Sequence, residues 1–268
     1  MSFPAYTRLS ISIENKVAFV TMNNPPINLL DAELIRELHD FSEVVAADQH
    51  VRVIVFKSAD PDFFIAHADV TLFQDYQSSL AHQSLKLFQQ MTERFQRWPK
   101  VTIAQVSGRA SGGGSEFLQS LDMRFAAIGK ASFSHPEVSL GFIPCKGGTQ
   151  RLPRLIGRAR ALEMILGGSF ISAEMAETYG YINRALVPAA LPSFVKKLAF
   201  KIADFSEAAV SHAKQAVNAS TADLASGLKT EEEHFYQVIG TDACQSRLQA
   251  FMETIAQTKE GELGMGLK

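Results

Sequence analysis

Cysteine is scarce in this chain: Cys145 and Cys244 are the only two among 268 residues. They lie far apart and make no metal-ligand or redox spacing, so a disulfide framework is not expected and a reducing cytosol is the natural compartment. Long apolar runs are missing too. No stretch of 18 or more apolar residues occurs, which argues against a membrane-spanning helix. The opening, MSFPAYTRLSISIENK, has no basic segment followed by an apolar one, so no signal peptide is expected. Charge of neither sign dominates: 26 Lys and Arg stand against 28 Asp and Glu, a net charge of −2. Without a clustered basic surface, nucleic acid is not an expected partner. Fixed-period repeats and low-complexity tracts are absent. So are a phosphate-cradling G-x-x-x-x-G-K-[ST], an H-E-x-x-H zinc helix and a G-x-S-x-G nucleophile elbow around Ser115. Cytoplasmic location, no metal and no membrane partner are the resulting expectations.

What is present suits a large core: 46% of residues are hydrophobic and 20% charged. Alternating residues over 7–15 and 16–23 predict two strands joined at Asn15. From Asp31, a credible N-cap, Leu34, Ile35, Leu38, Phe41, Val44 and Val45 recur at helical spacing. A buried strand is predicted at 51–58, a loop at 59–69, a helix at 84–98 and another buried strand at 101–108. The course of 70–84 is not legible. Beyond a glycine turn, a helix is predicted from 116, then short strands at 123–128 and 131–135. Helices are expected at 147–157, 159–168 and 172–180, a strand at 181–188, and mostly helix from 191 to 259. The alternation predicts an α/β fold, with a mixed core over 1–190 and a helical C-terminal region over 191–268.

Three segments cost stability if they are only structural. The loop 63-FFIAHAD-69 places apolar residues, expected to be exposed, at the end of a strand. The run 112-GGGSEFLQS-120 sets three glycines, the most expensive residues to order, directly before Glu116. Strand, glycine turn and helix start together make a place where unbonded N–H groups point at a ligand. The third segment, 135–152, carries Glu137 beside Pro136, with no other charged residue until Lys146 and Arg151. Each also has a plain structural use: packing under a helix, close backbone approach, or a single salt bridge.

In order along the chain, 64-FIAHAD-69, 108-GRASGGGSE-116, 136-PEVSLG-141 and 143-IPCKGGTQRL-152 resemble the crotonase superfamily, in particular the enoyl-CoA hydratases and isomerases. The resemblance runs from about residue 7 to residue 256. It implies a spiral of ββα units and a helical C-terminal region used for trimerisation, sometimes with trimers paired into hexamers. It also implies an acyl-CoA thioester substrate and no cofactor, coenzyme A being part of the substrate. Such thioesters react through enolate-like states, and the resemblance puts the two oxyanion-holding N–H groups at Ala68 and Gly113. It assigns Glu116 as the base that orients and activates water and Glu137 as the acid for the α-carbon, the two sharing one proton. Ala66, His67, Asp69, Val70, Gly112, Gly114 and Cys145 are the expected substrate contacts. The rival reactions on such a scaffold are double-bond isomerisation, thioester hydrolysis and carbon–carbon cleavage; a non-catalytic acyl-CoA-binding subunit is the rival from another class.

The chain departs from that pattern in places. His67 stands where a small residue is common, Cys145 and Lys146 where glycine or alanine is usual, and His135 where glutamine is frequent. The tail 250–268 lacks the Lys-Arg pair and late Phe with which relatives help cover coenzyme A.

Overall fold

The alternating N-terminal residues pair with themselves before anything else. In the computed structural model, which describes residues 3–74, 77–220 and 224–254, β1 (Leu9–Glu14) and β2 (Val17–Met22) are antiparallel, from Leu9 opposite Met22 to Glu14 opposite Val17. The connecting Asn15 and Lys16 both have positive φ, 47° and 65°, the signature of the tight turn that matches strand twist. Asp31 caps α1 (Ala32–Ala47), its side chain accepting from the Leu34 N–H at 2.8 Å. The helical apolar stripe is buried at Leu34, Ile35, Leu38, Phe41 and Val45.

β3 (Val53–Ser58) follows, and the segment expected to be a loop then contains a short strand, β4 (Phe63–Ile65). Phe64, Ile65 and Ala66 are buried there, not exposed. A strand of three residues is too short to show an alternation in sequence. After α2 (Thr71–Gln74), α3 (Ser79–Arg97) starts earlier than the periodicity indicates, capped by Ser78. Its buried residues begin only at Ser84, so the first turns carry no apolar signal. The strand expected over 101–108 is β5 (Val101–Val106), a separate short strand, β6 (Arg109–Ser111), follows it unexpected, and α4 (Gly113–Gln119) begins within the glycines rather than at Glu116.

β7 (Met123–Ala127) and β8 (Ser132–Ser134) precede a 3-10 turn at Glu137–Leu140. Then come α5 (Gly148–Ile156), α6 (Arg158–Gly167), β9 (Ile171–Ser172), α7 (Ala173–Tyr179), β10 (Arg184–Leu186) and α8 (Leu191–Asp204).

These strands form two sheets. One has the order β1-β2-β3-β5-β7-β10 and is parallel from β2 onward; the other has the order β4-β6-β8-β9, with β9 antiparallel. From β3 to β8 the chain alternates between the two sheets, and the three-glycine turn lies on the path from β6 to β7. Phe41, Phe56, Phe64, Phe95 and Phe117 stack through the core from α1 to α4. Arg124 is buried, and its guanidinium donates to the carbonyls of Leu118, Leu121 and Tyr181, tying down the C-terminal end of α4.

The chain forms two compact units, Met1–Ala203 and Asp204–Lys268. α8 belongs to the first, burying Leu191, Val195, Ala199 and Ala203 at helical spacing. The second unit contains α9 (Glu207–Ala219), α10 (Leu224–Ile239) and α11 (Asp242–Thr254), all helical as the periodicity indicates. The helix expected to reach 259 passes beyond the described residues there, as does the tail from 255 onward. No helix of the described residues is long and apolar enough to cross a membrane.

Candidate active site

Each of the three glycines answers to a different neighbour. Gly112 turns the chain from β6 into α4 with φ 49° and ψ −118°, and a Cβ there would lie 3.1 Å from Glu137 Oε1. A Cβ on Gly113 would meet Ala68 Cβ at 3.0 Å and Leu30 Cδ2 at 3.2 Å. One on Gly114 would strike the Ile65 carbonyl oxygen at 2.4 Å, so α4 packs directly on the backbone of β4. Gly112 N–H donates to the Ser134 carbonyl at 3.0 Å, and the Ser111 and Ser134 hydroxyls bond at 2.8 Å, fastening the turn to β8.

Two backbone donors meet at this turn. Leu30 and Ala68 form a parallel bridge in which Leu30 N–H donates to His67 O and Asp69 N–H donates to Leu30 O. Those bonds come from the residues flanking Ala68, so its own N–H points to the opposite side. Gly113 is the first residue of α4, where a helix leaves its N–H groups without internal partners. A Cβ on Gly113 would lie only 3.4 Å from the Ala68 nitrogen. Both residues line one cavity of about 140 Å³.

The same cavity is bounded by two buried carboxyls. Glu116, 2% exposed, accepts at Oε1 from the N–H groups of Lys146 (2.6 Å) and Gly148 (2.8 Å). Burial pushes its pKa up, and the nearby Glu137 adds to the rise. The Gly148 hydrogen bond and the charge of Lys146 oppose it. Glu137, 5% exposed, stands at the start of the 3-10 turn, and its Oε2 has no hydrogen-bond partner.

His67, Ala68, Val70, Gly112, Gly113, Glu116, Glu137 and Cys145 therefore gather at one cavity. Ala66, Asp69 and Gly114 are not among its lining residues. Ala66 is buried, Asp69 caps the turn into α2 by accepting from the Thr71 N–H, and Gly114 serves the packing just described. Desolvation raises the Cys145 thiol pKa, with Lys146 opposing, a direction that disfavours the thiolate. Sequence reasoning missed the backbone of Lys146 and Gly148 as the clamp on Glu116. The Gly147-Gly148 pair opening α5 was its only signal. His135 stood out in sequence only as a departure from the family pattern; its burial and polar contacts are revealed by the fold alone.

The cavity offers backbone donors and carboxyls, a set suited to stabilising an oxyanion and moving protons. Among the described residues, one group could bring three metal-ligating side chains together: His39, Asp40 and Glu43. It lies on α1 outside the cavity, with Asp40 held by Arg36 and Glu43 by Arg94.

Residues 12–260 match the family described as enoyl-CoA hydratase/isomerase. The short-chain-enoyl-CoA hydratase of Clostridium acetobutylicum is 33% identical over 242 residues, covering 90% of this chain and 92% of that protein. The crotonyl-CoA hydratase of Syntrophomonas wolfei is 32% identical over 251 residues, covering 93% and 96%. Among solved structures, an enoyl-CoA hydratase from Bacillus anthracis superposes with a TM-score of 0.87 at 32% identity, covering 92% of this chain and 96% of that one.

Proposed function

Since the chain belongs to the enoyl-CoA hydratase/isomerase family, we propose that it adds water to a trans-2-enoyl-CoA, giving a 3-hydroxyacyl-CoA. The observation that carries this reading is the meeting of two buried carboxyls and two backbone donors at one small cavity. The thioester carbonyl oxygen sits between the N–H groups of Ala68 and Gly113. There each donor is worth about 3–4 kcal/mol to the enolate-like transition state.

Glu116 takes a proton from the bound water as its oxygen bonds to the β-carbon. Glu137 gives its proton to the α-carbon. One molecule of water has then been added across the double bond, and a proton passing from Glu116 to Glu137 resets the pair. The raised pKa of Glu116 suits this role, because a more basic carboxylate accepts a proton more readily. Its two backbone hydrogen bonds hold the ionised form in place. Isomerisation needs only one carboxyl to carry a proton between carbons, so the presence of both favours hydration. These steps use no metal or redox cofactor, coenzyme A entering with the substrate.

We further propose a homo-oligomer, a trimer or a pair of trimers. Exposed Leu162, Leu166, Phe170 and Met175 supply apolar surface for such contacts. A cytosolic setting suits the two free thiols of Cys145 and Cys244.

The test follows loss of the conjugated enoyl-thioester absorbance with crotonyl-CoA and with a medium-chain 2-enoyl-CoA. Turnover is expected for the wild type and should fall by about 100-fold or more in Glu116→Ala and in Glu137→Ala. Thioester binding without turnover of either substrate would sink the hydration reading.

A further inference from the structure

A buried histidine stands beside both glutamates, and the hydration steps make no use of it. His135 lies between β8 and the 3-10 turn that opens with Glu137, and its ring is wholly buried. Its Nε2 is 2.6 Å from the Gln119 side-chain nitrogen at the end of α4. Gln119 also bonds to the Tyr181 hydroxyl. That hydroxyl already donates to the Ser115 carbonyl at 3.2 Å, so its oxygen accepts from the Gln119 amide. The amide is thereby turned with its nitrogen toward both partners. An N–H donated to Nε2 leaves the ring proton on Nδ1.

Nδ1 in turn faces Glu137. It lies 3.6 Å from Oε2, and neither atom has a hydrogen-bond partner although both are buried. At that distance the contact is not yet a hydrogen bond, but a side-chain shift of well under ~1 Å makes it one. Catalytic contacts in an empty site commonly tighten in this way when substrate arrives. Gly148 provides the room: a Cβ there would be 3.0 Å from His135 Cε1, the carbon between the two nitrogens.

We propose that His135 is a positioning residue for Glu137. Clamped at Nε2 by Gln119, it donates from Nδ1 to Glu137 Oε2. This leaves Oε1, beside Gly112, as the oxygen that presents the proton to the substrate. The same hydrogen bond stabilises the carboxylate left behind once that proton has gone. The inference rests on the reading of Glu137 as the acid.

Two amide substitutions separate this role from a structural one. Asparagine carries its amide near the position of Nδ1, glutamine near that of Nε2. His135→Gln and His135→Phe should lower kcat about tenfold, the worth of one hydrogen bond, with KM and Tm little changed. His135→Asn should restore most of the lost kcat. Full activity in His135→Gln together with loss in His135→Asn would overturn the proposal, as would a fall in kcat that merely tracks a fall in Tm. Nitrogen-15 spectra of the folded protein avoid His135 variants altogether. Glu137→Gln should shift the His135 Nδ1 resonance, and an unmoved resonance would overturn the contact. If that shift appears while the wild type fails to hydrate either enoyl-CoA, the contact stands and only the hydration reading falls.

Discussion

Glu116 is asked to be ionised in a place where ionisation is costly. Burial raises its pKa above the ordinary 4.5, and two backbone N–H groups only partly compensate. Two consequences follow from that direction. In the proposed role of base it must be ionised, so kcat should decline as pH falls through a value above 4.5. For stability the sign is opposite. A carboxyl whose folded pKa is raised contributes stability that is fully present below its unfolded pKa and lost as pH rises through the folded one. Glu116→Gln keeps an oxygen for the Lys146 and Gly148 donors and carries no charge. Its Tm should therefore exceed that of the wild type at alkaline pH and converge with it in acid, while kcat falls about 100-fold or more. Melting curves across pH check this; a variant less stable at every pH would show that the buried charge carries no penalty.

At the scale of the element, α4 joins the reaction to the core. It has only seven residues, Gly113–Gln119, and too little length to be stable by itself. Its place comes from packing: Gly114 lies against β4, Tyr181 holds the Ser115 carbonyl, and Phe117 packs against Phe56 at 5.3 Å and Phe95 at 6.1 Å. Phe117 is wholly buried. Phe117→Ala should cost about 3–5 kcal/mol in denaturant unfolding. A midpoint unchanged from wild type would mean that α4 does not depend on this cluster. Elements with a long apolar period or a capping side chain, such as α1 with Asp31, were legible in the sequence. β4, β6 and the start of α4 were not, because three-residue strands and helical glycines carry no periodic signal and are held by neighbours distant along the chain.

For the molecule as a whole, two sheets that exchange strands bring residues 68, 113, 116 and 137 to one cavity. If the exposed apolar side chains of α6 and α7 are covered by other copies, light scattering should give three or six times the 29.4 kDa chain mass. A monomer at micromolar concentration would refute the oligomer proposal. It would leave the cavity chemistry untouched, since every lining residue named above belongs to one chain.

Consecutive residues carried the long strands, the capped helices and the two glutamates. They also marked a turn in which glycine is indispensable, because local periodicity and residue chemistry are written in consecutive positions. Only the tertiary structure decided which way those groups face. The outward turn of the Ala68 N–H depends on pairing with Leu30, the clamp on Glu116 comes from the turn that opens α5, and the ring of His135 is set by Gln119. Each is a hydrogen bond between distant parts of the chain. Such bonds leave no mark in local residue patterns, and they form only once the two sheets and the core have fixed the distances.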